Sequence, residues 1–440
     1  MKPALTILII AFNIQFAHSQ AVNIFGYVTD KHTGEKLIGA NVYNEIKHKG
    51  TTSNNYGFYS LPCHKGDTVN LIASYIGYSV FKKQLIITEN TEVNIILEPW
   101  NELEEVVVKS VRPIQERTEI STHRIPIQEI KKLPAIGGES DLVKALQFLP
   151  GVQSGNEGSS GLYVRGGSPD QNLILLDGVP LYYVNHMGGF VSVFNPDAIN
   201  SVSLIKGGFP ARYGNRLSSV LDICMNEGNM KEFKGKSTIG LISSKICVEG
   251  PLKKDTSSYI ISFRRFLYDF FTRPITYFAL DGVSLGYNFY DFNIKTNYIF
   301  SPRNRLYLSY YMGDDKLAVS IRHKDMELKK ASGKLQWGNL LAVMRWNHIF
   351  AHNLFSNTTL YYTRYRHRTI QDYKYDPDYS YSKYYSGISD AGLNFEAEYS
   401  PWSFYRVMFG SSMIYHHYLP SYSENKQLFD GISNSYKYRG

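Results

Sequence analysis

Apolar and polar residues alternate with a period of two along much of the second half of the chain. Between Asn288 and Phe300, one set holds Tyr290, Phe292, Ile294, Tyr298 and Phe300, and the other holds Asp291, Asn293, Lys295 and Asn297. Leu393, Phe395, Ala397 and Tyr399 oppose Asn394, Glu396 and Glu398 in the same way, and Leu340, Ala342, Met344 and Trp346 oppose Asn339, Arg345 and Asn347. Successive side chains of a strand point to opposite faces, so the pattern predicts antiparallel strands with one oily and one polar side. Short turns near Pro251–Lys254, Ser301–Asn304, Ala351–Asn353 and Pro401–Trp402 alternate with long stretches near 267–286, 314–332 and 368–388, read as loops. Short turns on one side and long loops on the other are the habit of membrane barrels with a polar interior. If the chain enters from the short-turn side, two short strands, 234–241 and 244–250, precede the turn near 251–255. That gives about nine strands over 231–440, the last near 404–416 and ending on the far side.

The first half has a different rhythm. Lys2 leads into the apolar run Ala4–Phe12, and Ala17-His18-Ser19 offers small residues for cleavage, so 1–19 read as a secretory signal peptide. From 21 to 98, short strands near 22–28, 38–43, 57–61, 67–78 and 84–97 are separated by turns, the pattern of a small β-sandwich. Asn101–Lys109 follows, with three valines flanked by charge: Leu103, Glu104, Glu105, Val106, Val107 and Val108. By pattern alone it is a last strand, a linker, or an extended segment that pairs with a partner's sheet edge. From 115 to 228 glycines multiply. A short helix is predicted near 139–148, capped by Ser140 or Asp141 and ended by Pro150-Gly151. Short strands then end in glycine turns at Tyr163-Val164-Arg165-Gly166-Gly167, Leu175-Leu176-Asp177-Gly178 and Leu204-Ile205-Lys206-Gly207-Gly208. The fold class is thus mainly β: a sandwich, a mixed α+β middle and the first part of a transmembrane barrel.

Composition sharpens this picture in three places. Ten of the 35 tyrosines precede residue 250 and 25 follow it, as aromatic girdles at two membrane interfaces would require. The net charge of +8 is scattered, and Arg165-Gly166-Gly167 occurs once, so no nucleic-acid surface is indicated. Cys63, Cys224 and Cys247 make neither a disulfide framework nor a paired metal site, and His32-Thr33-Gly34-Glu35 reads as a polar turn without a third ligand. Gly235-Lys236-Ser237 lacks the glycine that a phosphate loop has five residues before. No catalytic constellation, cofactor or metal is predicted, so the chain is read as a non-enzyme.

Gly26–Asp30, Thr33–Glu35, Leu37–Val42, Tyr56–Tyr59 and Ser74–Tyr78 resemble the carboxypeptidase-regulatory-like domain. The order of glycine turns over 115–228 resembles the plug of TonB-dependent receptors, and Leu103–Val108 then resembles the TonB box that lies ahead of that plug. The resemblance implies a Bacteroidota-type receptor of the cell outer membrane, importing a scarce ligand (glycan, peptide, metal chelate or vitamin) with energy relayed by a TonB-type partner. A surface lipoprotein partner is a further expectation, and a non-transporting surface anchor is the alternative. Arg165 and Asp177 are expected to be buried charges, paired within the plug or with the barrel wall. The family barrel has about 22 strands, so about nine would mean a truncation, a split gene or a fragment.

Overall fold

The computed structural model describes residues 21–100, 122–132, 140–155, 160–240, 243–322, 328–375, 378–402, 405–429 and 431–439. The proposed signal peptide (1–19) and the segment Leu103–Val108 lie outside these residues.

The leading domain is two four-stranded sheets packed face to face. Ala21–Asp30 pairs antiparallel with Phe58–His64 and parallel with Thr91–Glu92 and Ile95–Leu97, and the second sheet holds Lys49–Thr52, Asn41–Asn44, Thr68–Ser74 and Phe81–Ile86. Ile24, Val28, Val42, Leu61, Val69, Leu71 and Ile95 fill the space between them. These inward residues recur at every second position of their strands, which is why the segment closes as a sandwich, while Phe25, Tyr27 and Phe58 lie on the opposite face of the first sheet.

The middle of the chain forms a five-stranded sheet, in the order Val179–Pro180, Asn172–Leu176, Ser219–Met225, Ile199–Ile205, Thr122–Pro126. Asn172–Leu176 and Ser219–Met225 run parallel, and the other pairs are antiparallel. The helix Leu142–Leu146 packs Leu142, Val143 and Leu146 into the same core. Asp141 caps it, accepting from the Lys144 amide at 2.9 Å. The core reaches beyond the sheet to Tyr311, Leu341, Val343 and Tyr361 of the large wall, so this unit is seated on the wall.

That wall is a single antiparallel sheet of ten consecutive strands, from Lys234–Ile239 and Ser243–Lys253 to Tyr405–Phe429 and Ile432–Arg439. The predicted alternation is its organising feature. Asp291, Asn293, Lys295 and Asn297 are buried toward the middle unit. On the other face, register aligns Leu308, Met344, Leu360 and Leu393 in one exposed apolar row. Tyr298, Phe300, Trp346 and Trp402 are exposed near the short turns.

Two expectations are corrected. The wall has ten strands rather than nine, because Ile432–Arg439 turns back and pairs with Tyr422–Phe429. The stretches read as long loops at 314–332 and 368–388 are mostly paired strand: Asn304–Ile321, Leu328–Ala351, Leu354–Tyr375 and Tyr379–Trp402 run far past the apolar band. In these outer stretches residues on both faces are mostly half-buried, so the oily alternation fades while the ladder continues.

Candidate functional site

Three contacts tie the parts together, and the first is built on an Asp-Gly turn. Asp177 and Gly178 both have positive φ, 50° and 75°. This is the type I′ geometry that joins Asn172–Leu176 to Val179–Pro180 in two residues. The turn delivers the Asp177 carboxylate to the wall, fully buried. Lys295 Nζ lies 3.0 Å from Oδ1, Ser309 Oγ donates to Oδ2 at 2.7 Å, and the Met225 amide donates to Oδ1 at 3.0 Å. Arg345 donates to the Asp177 carbonyl. Burial alone would raise this carboxyl, but the charges of Lys295 and Arg345 outweigh it and hold it below its ordinary value.

The second contact is His186, in the hairpin of Asn185–His186 and Val191–Ser192. Its Nδ1 lies 2.7 Å from Asp315 Oδ2 and its Nε2 3.0 Å from Asp291, while its ring stacks on Phe289 at 4.0 Å. Arg264 holds the same Asp291 carboxylate at 2.6 Å and donates to the Ser192 carbonyl at 2.7 Å. Burial lowers the basicity of His186, but the flanking carboxylates more than reverse this and lift it to about 9, so the ring is charged at neutral pH.

The third contact joins the sandwich to the short-turn rim of the wall. Phe25, Tyr27 and Phe58 form one buried cluster with Ile349 and Phe355, with Phe58 and Phe355 stacked at 5.1 Å. Arg305 sits 3.5 Å over the Tyr27 ring, and Ser60 Oγ donates to the His352 carbonyl at 2.9 Å. The turn read as merely polar does more than that: Glu35 accepts from the Glu227 amide at 2.7 Å, and buried Lys36 lies 3.4 Å from the Glu227 carboxylate. Burial and the charge of Glu227 push the Glu35 carboxyl up to about 8, and burial lowers Lys36 to about 7.

Of the residues singled out from sequence, Asp177 and Gly178 are therefore at the wall. Arg165 and Gly166 also form a turn with positive φ, 49° and 82°, bridged between Val164 and Gly167. Arg165 is exposed, not buried as expected, because this turn caps a two-residue strand whose neighbour Val164 takes the inward position. Gly167 packs against Ser218, where a side chain would collide at 2.5 Å. His186, Arg264 and Lys36 were not found from sequence. The only available signal was the polar side of the alternating strands, which marked Asp291 and Lys295 but not their partners.

The family described as the TonB-dependent Receptor Plug Domain matches residues 115–219, and the CarboxypepD_reg-like domain matches residues 24–108. The second match takes in Leu103–Val108. The chain is 27% identical over 241 residues to the TonB-dependent receptor SusC of Bacteroides thetaiotaomicron, covering 52% of this chain and 23% of that one. It is 28% identical over 199 residues to the TonB-dependent receptor P26 of Formosa agariphila, covering 42% of this chain and 18% of that one. The matched stretch thus spans less than a quarter of either relative. Among solved structures, the ferric yersiniabactin uptake receptor FyuA from Yersinia pestis overlaps at a TM-score of 0.40 and 14% identity, covering 73% of this chain and 60% of that chain.

Proposed function

By domain content the chain belongs to the TonB-dependent receptors, and from that premise we propose that it is an outer-membrane importer whose plug is released by a TonB-type energy-coupling protein. The observation that carries this reading is the charged seating of the plug on the wall. Asp177 and His186 are both buried and both paired with wall residues. Such contacts hold a plug closed until work is done on it, because pulling one partner away strands a buried charge.

The remaining assignments follow from this reading. Residues 1–19 direct export and are removed. Leu103–Val108 is the extended segment gripped by the energising partner, whose sheet edge it joins through main-chain hydrogen bonds. The oily face of the ten-strand wall meets outer-membrane lipid. The ligand is a scarce external solute, captured beyond the far ends of the long strands, and a surface lipoprotein assists that capture.

Val107→Pro tests the coupling step, because proline removes a ladder donor without touching the described barrel. Uptake of the cognate solute should fall to that of a strain lacking the inner-membrane energiser, with the protein still at full level in the outer membrane. Uptake at the wild-type rate would remove the assignment.

A further inference from the structure

The helix Asp269–Ala279 follows the wall strand Ser257–Phe266 and lies against Val283–Ser301, on the side away from the short turns. Its amphipathic pattern is reversed with respect to an ordinary surface helix. Asp269, Thr272, Arg273 and Thr276, spaced three and four apart, face the wall; Phe270, Phe271, Ile275 and Phe278 face outward, with Phe278 83% exposed. Water alone would favour the opposite arrangement.

The polar stripe is held in place by specific contacts. Asn288 donates to Asp269 at 3.0 Å, Arg265 lies 3.5 Å from the same carboxylate, and Thr276 Oγ1 accepts from the Leu285 amide at 2.9 Å. Arg273 crosses directly over Gly286, where any side chain would meet its Nε at 2.3 Å.

Between helix and wall lies a cleft of about 420 Å³, lined by Arg265, Asp269, Arg273, Tyr290, Asp314 and Lys316. Register puts these wall residues on the lipid-facing side, since Tyr290 pairs with both Arg265 and Asp314 while the lumenal neighbour Asp291 pairs with Arg264. The row below holds Phe263, Phe292, Met312 and Leu340. The cleft therefore sits where the oily band ends on the external side. Asp269 Oδ1, Arg273 Nε and Asp314 Oδ1 are buried around it and lack a partner among the described residues. Lys316 has no ion pair among the described residues either.

We propose that this cleft and its reversed helix bind the phosphorylated sugar headgroup of an outer-leaflet glycolipid. Arg265, Arg273 and Lys316 meet the phosphate, and the orphaned carboxylate oxygens Asp269 Oδ1 and Asp314 Oδ1 accept from sugar hydroxyls. Phe270, Phe271, Ile275 and Phe278 sink into the acyl chains beside the existing lipid-facing row, in the manner of an interfacial helix. The occupant is a lipid rather than a free anion because the apolar face is continuous with the membrane-facing wall.

The inference rests on the outer-membrane reading above, and the test separates the two. The protein is extracted from its own outer membrane in mild detergent, and native mass spectrometry follows titration with a phosphorylated lipid A, its dephosphorylated form and inorganic phosphate. One phosphorylated lipid A should be retained, the dephosphorylated form should bind at least ten-fold more weakly, and equimolar inorganic phosphate should not displace the lipid. Arg273→Gln combined with Lys316→Gln should lose at least ten-fold, and Phe278→Ser, at a fully outward position that leaves the barrel untouched, should weaken retention several-fold. Equal binding of both lipid forms, displacement by inorganic phosphate, or wild-type retention in both variants overturns the proposal. Failure of the protein to fractionate with membranes would instead overturn the importer reading.

Discussion

Removing the charge of Lys295 should loosen the plug far more than removing both members of its pair. Lys295 and Asp177 are each fully buried and 3.0 Å apart. Stranding one partner of a buried pair costs about 3–5 kcal/mol, while replacing both by neutral groups of similar shape costs much less. Lys295→Met leaves the Asp177 carboxylate with hydrogen bonds from Met225 and Ser309 but without its nearest cation. Asp177→Asn keeps the turn and the acceptor toward Met225 while leaving the Lys295 ammonium facing an amide. Each single variant should therefore raise the opening equilibrium of the plug about 100- to 4,000-fold, at 1.4 kcal/mol per factor of ten. The double variant should recover at least about 2 kcal/mol relative to the sum. Native-state hydrogen exchange in detergent reads this directly at the Asp177 amide, which is bonded to the Ile223 carbonyl. Single-variant effects that add to within about 0.5 kcal/mol would refute a charge-coupled seat.

The second seat should respond to pH. The folded pKa of His186 is raised to about 9 by its two carboxylates, so its contribution is complete below about 6.5 and is lost as pH climbs through 9. The full swing is roughly 3 kcal/mol; protection of the Val191 and Ser192 amides, corrected for intrinsic exchange, should fall over that window and stay flat in His186→Gln, and an identical fall in the variant would rule the histidine out. At the rim, Phe355→Ala should cost about 3–5 kcal/mol of docking, because Phe355 stacks on both Tyr56 and Phe58. A short cross-link between cysteines placed at Ser60 and His352 should form in the parent and drop at least ten-fold in the variant; an unchanged yield would mean that the aromatic cluster does not hold the sandwich.

What could be read from sequence follows from where each residue's partner lies. The wall strands were legible because one side is polar and packed on the middle unit and the other is apolar and exposed, so every second residue in Val283–Ser301 carries the signal locally. The short helix was legible for the same reason: Asp141, its amide partner and its apolar side fall within a few residues. His186 was not legible, since its two carboxylates lie 105 and 129 residues away and nothing in the hairpin announces them. The helix Asp269–Ala279 was hidden inside a stretch read as loop. Its polar stripe faces the wall, and Pro274 interrupts its pattern, so the usual amphipathic signature is present with the wrong sense. Strand ends were misplaced where the apolar alternation stops but hydrogen bonding continues.

The order of the plug sheet bears on how a pull would open it. Residues 101–121 join Trp100 of the sandwich to Thr122, so a load applied there is shared between the rim contact and the first strand of the plug. That strand, Thr122–Pro126, is one edge of the five-stranded sheet and, among the described residues, pairs in the sheet with Ile199–Ile205 alone. The Asp177 turn belongs to the opposite edge, with Ser219–Met225 and Ile199–Ile205 in between. Force applied there would arrive at an edge strand and would have to cross the sheet before it reached the buried pair on the wall. An edge strand can be peeled one hydrogen-bonded pair at a time, whereas a buried ion pair gives way as a unit. The topology thus favours stepwise opening, with the edge strand leaving first and the charged seat holding the rest of the plug against the wall.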